Sequence, residues 1–138
     1  MSEADDRLVV VDPPALGPAR GYANGVLVPA GRRLLFVAGQ IGWDAQQQLV
    51  DGGFAAQFAQ ALRNVLAVVG AAGGEPADVA RLTIYVLDRG EYAAARREIG
   101  AAYRELMGRH YPAMALVEVR ALLEDGARVE IEATAAVP

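Results

Sequence analysis

An α+β fold is predicted by the order of the apolar patterns along the chain. Short β-branched runs stand before, between and after two longer segments whose apolar residues recur at three- and four-residue steps. The predicted order is therefore β-β-α-β-α-β-β, a mixed sheet of five or six strands with two helices on one face. The opposite face of the sheet would need a second cover, such as another subunit.

Short strands are predicted in the first third of the chain. Leu8–Val11 is a β-branched run that ends at Asp12-Pro13-Pro14. Tyr22–Val28 and Arg33–Val37 are predicted as the two strands of a hairpin, because the turn-rich segment 29–32 separates them.

The first helix is predicted over about residues 53–69. Asp51 is its expected N-cap, and Gly70 or Gly73 its expected end. Its apolar stripe consists of Phe54, Phe58, Ala61, Leu62, Val65, Leu66 and Val69.

The second helix follows a strand at Leu82–Leu87, which is rich in β-branched and aromatic residues. Asp88 and Glu91 have the spacing of a capping box. This spacing predicts a helix that starts after Asp88 and continues to about Leu106.

The last two strands, Ala113–Ala121 and Arg128–Ala135, are predicted to pair across a turn at 124–126. Glu118, Glu130 and Glu132 then have the same parity and would share one sheet face. Neighbouring carboxylates raise one another's pKa and can serve in general acid–base catalysis. A solvated, charged sheet face explains the same pattern.

The composition predicts one compact domain. The chain has 138 residues, 54% of them hydrophobic, and a formal net charge of −4. Residues 14–138 are expected to form a single domain, preceded by an N-terminal arm at residues 1–13. A net acidic chain without a basic stripe argues against binding to duplex nucleic acid.

The residue content also limits the available chemistry. The chain has no cysteine and a single histidine. Disulfides, a thiolate nucleophile, iron–sulfur clusters and cysteine-ligated zinc are therefore excluded. One histidine also argues against a histidine-rich metal site and a Ser-His-Asp triad. No metal is expected, and His110 is expected to cap the C-terminal end of the second helix.

A cytoplasmic protein without a membrane partner is expected. No apolar run approaches the ~20 residues that span a bilayer. Glu3, Asp5 and Asp6 occur where a secretory signal would carry positive charge followed by an apolar segment.

Two further features could contact a ligand. Tyr22 stands among small residues and could donate a hydrogen bond, or it could pack in a half-buried strand. In Ala38-Gly39-Gln40, Gly39 would let a ligand approach the backbone, although a β-bulge explains a glycine there equally well.

Four motifs, in order, resemble those of the Rid family, also called YjgF or L-PSP endoribonuclease-like. The resemblance covers about residue 14 to the C-terminus. The motifs are Gly21-Tyr22-Ala23-Asn24-Gly25-Val26, Ala38-Gly39-Gln40-Ile41, Asn64 in the first helix, and a C-terminal segment that contains Tyr111-Pro112-Ala113-Met114 and Asp125-Gly126-Ala127-Arg128-Val129-Glu130.

The resemblance implies a chorismate-mutase-like fold and a homotrimer with small-molecule clefts at its subunit interfaces. Active members of the family hydrolyse enamines and imines to 2-keto acids and ammonia without a cofactor. By the same resemblance, Glu130 would hold the attacking water, while Tyr22 and the Gly39 backbone would contact the ligand.

Three positions depart from the family pattern. Met114 occupies the place of an arginine that binds the substrate carboxylate, Ala38 that of a serine, and Leu116 that of a frequent cysteine. Such a cleft would favour a more apolar ligand, or none. Arg96, on the second helix, could restore the missing positive charge, or it could be a solvated residue paired with Glu91.

Two functions fit this resemblance. The first is a Rid-type hydrolase of enamines or imines with altered substrate choice. The second is a non-catalytic trimer that binds a hydrophobic metabolite. A ribonuclease ranks last, because an acidic chain with one histidine offers no obvious basic patch for nucleic acid.

Overall fold

The computed structural model describes residues 6–138, so the first five residues of the predicted N-terminal arm lie outside the described range. The strands and helices are β1 (Val9–Val11), β2 (Gly25–Leu27), β3 (Arg33–Ile41), α1 (Gly53–Ala71), β4 (Val79–Val86), α2 (Arg89–Ala94), α3 (Arg96–Met107), β5 (Ala113–Glu118) and β6 (Val129–Val137). Within this range, no helix is both long and apolar enough to cross a membrane.

A four-stranded mixed sheet forms the centre of the fold, in the order β3-β6-β4-β5. Strands β4 and β5 are parallel, and the other two pairs are antiparallel. Alternate residues of the sheet pack with α1 and α3 in one core, so the helices cover a single face. The predicted α+β sandwich is confirmed, but the described sheet has four strands and not the predicted five or six, because β1 and β2 form a separate ladder.

Strand β2 pairs with β1 and forms no hairpin with β3, so the hairpin prediction is wrong. Val9 lies opposite Leu27 in this separate two-stranded ladder. Beside the ladder, Asp12 Oδ1 accepts hydrogen bonds from the backbone N–H and the side-chain amide of Asn24, at 2.7 and 2.9 Å. These bonds hold β1 against β2, a pairing that the strand patterns alone do not indicate.

The second predicted helix is interrupted at Ala95, so it forms two helices, α2 and α3. Asp88 is the N-cap as predicted, and its Oδ1 accepts a hydrogen bond from the N–H of Gly90 at 2.7 Å. The capping box itself is not formed. Glu91 instead accepts a hydrogen bond from Arg128 Nε at 2.8 Å.

Helix α1 begins at Gly53 as predicted, but its N-cap lies one residue after the predicted one. The N-cap is Gly52, in a left-handed conformation, rather than Asp51. The helix ends at Ala71, and Gly73, at φ +84°, reverses the chain as one of the two predicted stops.

The last two strands are not neighbours, because β6 lies between β3 and β4 while β5 lies at the far edge of β4. Glu118 is in register with the buried Val86 and lies on the helix-covered face, where it accepts a hydrogen bond from the N–H of Arg89 at 3.0 Å. Glu130 and Glu132 are in register with Tyr85 and Thr83, on the other face. The predicted cluster of three carboxylates is therefore wrong, since sequence parity does not show which strands pair.

Candidate functional site

A cleft runs along the edge strand β5 on the helix-covered side of the sheet. The N–H of Ala23 donates to the carbonyl of Pro112 at 3.0 Å, and Ala23 forms a parallel bridge with Ala113. This attachment places the loop that carries Tyr22 beside β5. Tyr22, which is partly exposed, thereby lines the cleft together with Met114.

The cleft has two adjoining lobes of about 240 and 270 Å³. Tyr22 and Leu116 line the first lobe only. Residues of α3, including Arg96, line the second. The lobes share Arg20, Gly21, Ile84, Tyr92 and Met114.

The aromatic side chains of the second lobe are fixed by contacts with one another. Tyr103 and Tyr111 stack with ring centroids 5.2 Å apart, and the Tyr103 hydroxyl donates to the carbonyl of His110 at 2.6 Å. Burial raises the pKa of the Tyr103 hydroxyl above its usual range. Tyr92 packs edge-on against Phe54. These contacts give the lobe a rigid wall.

A second group of predicted site residues lies on the opposite sheet face. The register between β3 and β6 shifts between Val37 and Gln40, which is the β-bulge expected as one explanation of Gly39. The Glu130 side chain lies against this glycine. A Cβ at position 39 would stand 2.8 Å from the carboxyl carbon of Glu130. Gly39 therefore leaves the space that the carboxylate occupies.

The two carboxylates of this face have different surroundings. Glu132 accepts a hydrogen bond from the Tyr85 hydroxyl at 2.6 Å, and this bond is the main reason that the pKa of Tyr85 is raised. Glu130 is partly buried, and no described residue forms a hydrogen bond or an ion pair with its carboxylate. Glu130 is thus available to bind a water molecule or a ligand.

The predicted site residues therefore form two groups in one chain. Tyr22, Arg96, Met114 and Leu116 line the cleft at β5. Ala38, Gly39 and Glu130 lie on the face that the helices leave open.

Arg96 is exposed, as a solvated residue would be, but its alternative pairing with Glu91 is not formed, and Glu91 accepts a hydrogen bond from Arg128. His110 caps the end of α3 through its backbone N–H, which donates to the carbonyl of Met107 at 3.3 Å, and not through its side chain. Its ring Nε2 lies 2.6 Å from the carbonyl of Val79. Because a carbonyl oxygen accepts, Nε2 carries the proton in this contact.

Two charged residues of the cleft, Arg20 and Arg104, were not identified from the sequence. Arg20 stands in a segment rich in proline and glycine, where an arginine resembles an ordinary solvated charge. Arg104 could have been found, because Arg96, Gly100 and Arg104 follow one another at four-residue steps and so share one face of α3.

The open sheet face carries large apolar side chains that no part of residues 6–138 covers. Phe36 is 75% exposed and Leu34 57%. Thr83 and Glu132 line a cavity on this face together with Phe36. No group of three or more potential metal ligands occurs within residues 6–138.

Comparisons with known proteins agree on one family. The sequence model of the family described as Endoribonuclease L-PSP matches residues 13–137. The human protein named 2-iminobutanoate/2-iminopropanoate deaminase is 36% identical over 124 residues, which cover 89% of this chain and 82% of the human one. Protein DfrA of Myxococcus xanthus is 37% identical over 128 residues, with 89% and 88% covered. The crystal structure of YyfB from Yersinia pestis, a Rid-family protein of unknown function, matches with a TM-score of 0.82 and 36% identity over 95% of this chain and 99% of that one.

Proposed function

Because the chain belongs to the Endoribonuclease L-PSP family, also known as Rid, we propose that it is a cytoplasmic, cofactor-independent deaminase of enamine and imine metabolites. An enamine first takes up a proton on carbon and becomes the imine. Water then adds its oxygen to the imine carbon while its protons pass to the nitrogen, the carbon–nitrogen bond breaks, and the products are a 2-keto acid and ammonia. The names of the human and other relatives support this reaction class.

The unpaired carboxylate of Glu130 is the observation that carries the proposal. It lies against Gly39 with no protein partner among the described residues, in contrast to Glu132. A carboxylate in this position can accept a proton from water while that water attacks the imine carbon. Tyr22 would contact the ligand through its hydroxyl, and the backbone at Ala38 and Gly39 would contact it from the other side.

The two groups of site residues would come together between two copies of the chain. Within one chain the cleft at β5 and the Glu130 group lie on opposite sheet faces. The exposed Phe36 and Leu34 next to the Glu130 group support a homotrimer in which a neighbouring subunit covers this face. Each cleft would then combine Tyr22 of one copy with Glu130 of the next.

Arg96 would supply the positive charge that position 114 lacks. Arg96 lines the second lobe together with Met114. Glu91, its alternative ion-pair partner, is bound to Arg128. A guanidinium at the rim of the cleft can attract and orient the carboxylate of an imino acid.

Release of ammonia and 2-keto acid from freshly generated imines tests the proposed function. An amino-acid oxidase produces the imines in place, and semicarbazide trapping measures how fast they disappear. Faster loss of imine with the protein present supports the proposal. If neither polar nor hydrophobic imines are hydrolysed by correctly folded trimer, the deaminase is excluded. Ligand-dependent thermal stabilisation would then favour the non-catalytic binding protein.

Met114→Arg is expected to raise kcat/KM for 2-aminoacrylate by at least about 10-fold, since a charged hydrogen bond to the carboxylate is gained. The gain should appear mainly as a lower KM. Met114→Leu is the matched control, because it keeps an apolar side chain of similar size. Equal kinetics for the two variants would show that position 114 does not face the substrate carboxylate.

Gly39→Ala is expected to lower kcat/KM by about 10- to 100-fold, because the new methyl group displaces the Glu130 carboxylate. The backbone at Gly39 has no positive φ, so unfolding by urea should change by less than about 1 kcal/mol. Unchanged deamination would show that the position of Glu130 next to Gly39 is not important for the reaction.

A further inference from the structure

Three arginines surround the cleft at β5 without an acidic partner. Arg20 borders both lobes, and Arg96 and Arg104 border the second. None of the described residues forms a hydrogen bond or an ion pair with these three side chains, and neither lobe is lined by an aspartate or a glutamate of the described chain. All three side chains are exposed, and their combined positive charge favours an anionic ligand in the cleft.

The wall between these arginines is apolar and aromatic. Phe58 and Ile84, which are buried, form part of the second lobe together with Met114. The stacked rings of Tyr103 and Tyr111 complete this wall. Such a surface suits a flat or branched apolar group more than a second charge.

Gly100 leaves an opening in the helical side of this lobe. It stands in the interior of α3 between Arg96 and Arg104, and a Cβ built on it would meet nothing within 4 Å. Glycine costs a helix roughly 1 kcal/mol relative to alanine. A glycine in this position keeps the lobe wide, which favours a ligand with a bulky group.

We propose that the cleft selects organic acids with a large apolar or aromatic body, whose carboxylate is bound by Arg20, which borders both lobes, and by Arg96 and Arg104 at the exposed rim of the second lobe. This inference rests on the proposed function only for the reactive form of the ligand, the corresponding 2-imino acid. The second lobe, between α3 and β5, then holds the side chain of the substrate. Arg20 and Arg104 are specificity-determining residues in addition to Arg96.

Direct binding of stable 2-keto acids tests this inference without turnover. Isothermal titration of the purified oligomer should give phenylpyruvate a Kd at least about 10-fold lower than that of pyruvate or 2-oxoglutarate. Tighter binding of 2-oxoglutarate than of phenylpyruvate would contradict the proposal that the second lobe holds an apolar side chain. Equal binding of phenylacetone, which lacks the carboxylate, would overturn the role of the arginines.

Variants separate the two parts of the proposed site. Arg20→Gln and Arg104→Gln should each weaken phenylpyruvate binding by about 10-fold. Arg97→Gln, which removes the same charge from the same helix outside the cleft, should change it less than about 2-fold. Equal losses in the three variants would show that binding depends only on the net charge of the protein, which would contradict the proposed site.

Gly100→Met should weaken phenylpyruvate binding by at least about 10-fold and leave pyruvate within about 2-fold, because the new side chain enters only the second lobe. Equal binding of phenylpyruvate to Gly100→Met and wild type would contradict the assignment of that lobe. These binding results stand apart from the deaminase assay. A protein that binds phenylpyruvate but hydrolyses no imine supports this inference and excludes the proposed function.

Discussion

Glu130→Gln is expected to lower kcat/KM for imine hydrolysis by about 100- to 10,000-fold, the usual contribution of a general base. The amide is nearly isosteric with the carboxylate but cannot accept the proton of the attacking water. The side chain would still fit against Gly39, so the substrate KM should change much less than kcat. Steady-state kinetics with an oxidase-generated imine measure both constants.

Glu132→Gln is the matched control for this variant. It removes the same charge from the same strand and sheet face, but its carboxylate is already bound to the Tyr85 hydroxyl. Activity within about 3-fold of wild type is expected for Glu132→Gln. If Glu130→Gln is as active as Glu132→Gln, Glu130 does not act as the base.

Asp78→Ala is expected to lower the free energy of unfolding by about 3–5 kcal/mol, because it leaves the charge of Arg32 buried and unpaired. Arg32 Nη1 lies 2.8 Å from Asp78 Oδ1, and the two side chains are only 9% and 7% exposed. Asp78 Oδ2 also accepts the N–H of Glu75 at 2.8 Å. Urea unfolding at one fixed protein concentration measures the loss.

Asp125→Asn provides the control for this loss. The substitution also removes one negative charge, but from an exposed position. A change below about 0.5 kcal/mol is expected there. Replacing both partners, with Arg32→Met and Asp78→Leu, should recover part of the stability, because no buried charge is left. A loss for Asp78→Ala no larger than that for Asp125→Asn would show that the buried pair does not contribute.

Apolar periodicity was sufficient to predict the fold class, but it does not contain the pairing of strands. The stripe of α1 and the alternation in β6 identify buried faces, because burial follows the repeat of each element. The partner of β2 depends on Asp12 and Asn24, and the position of β5 beside β4 depends on a crossover connection. Because these long-range contacts leave no local pattern in the sequence, Glu118 was predicted on the wrong sheet face.

The candidate site was predictable only where a motif could be matched. Tyr22 and Met114 do lie in one cleft, and Gly39 does lie against Glu130. Arg20 resembles any exposed arginine until the fold brings it to the cavity, whereas the four-residue spacing of Arg104 from Gly100 and Arg96 is visible in the sequence. The separation of the two groups on opposite sheet faces was also not predictable, because an interface between copies leaves no periodic signal in the sequence.

A mixing experiment tests most directly the central claim, that Tyr22 and Glu130 of different copies complete one hydrolytic site. Tyr22→Ala and Glu130→Gln chains, each expected to be inactive alone, are unfolded together, refolded and assayed for imine hydrolysis. Random assembly of equal amounts into trimers gives about one intact site in four, so activity near a quarter of wild type is expected. Activity no higher than the mean of the two separate variants would contradict the shared site.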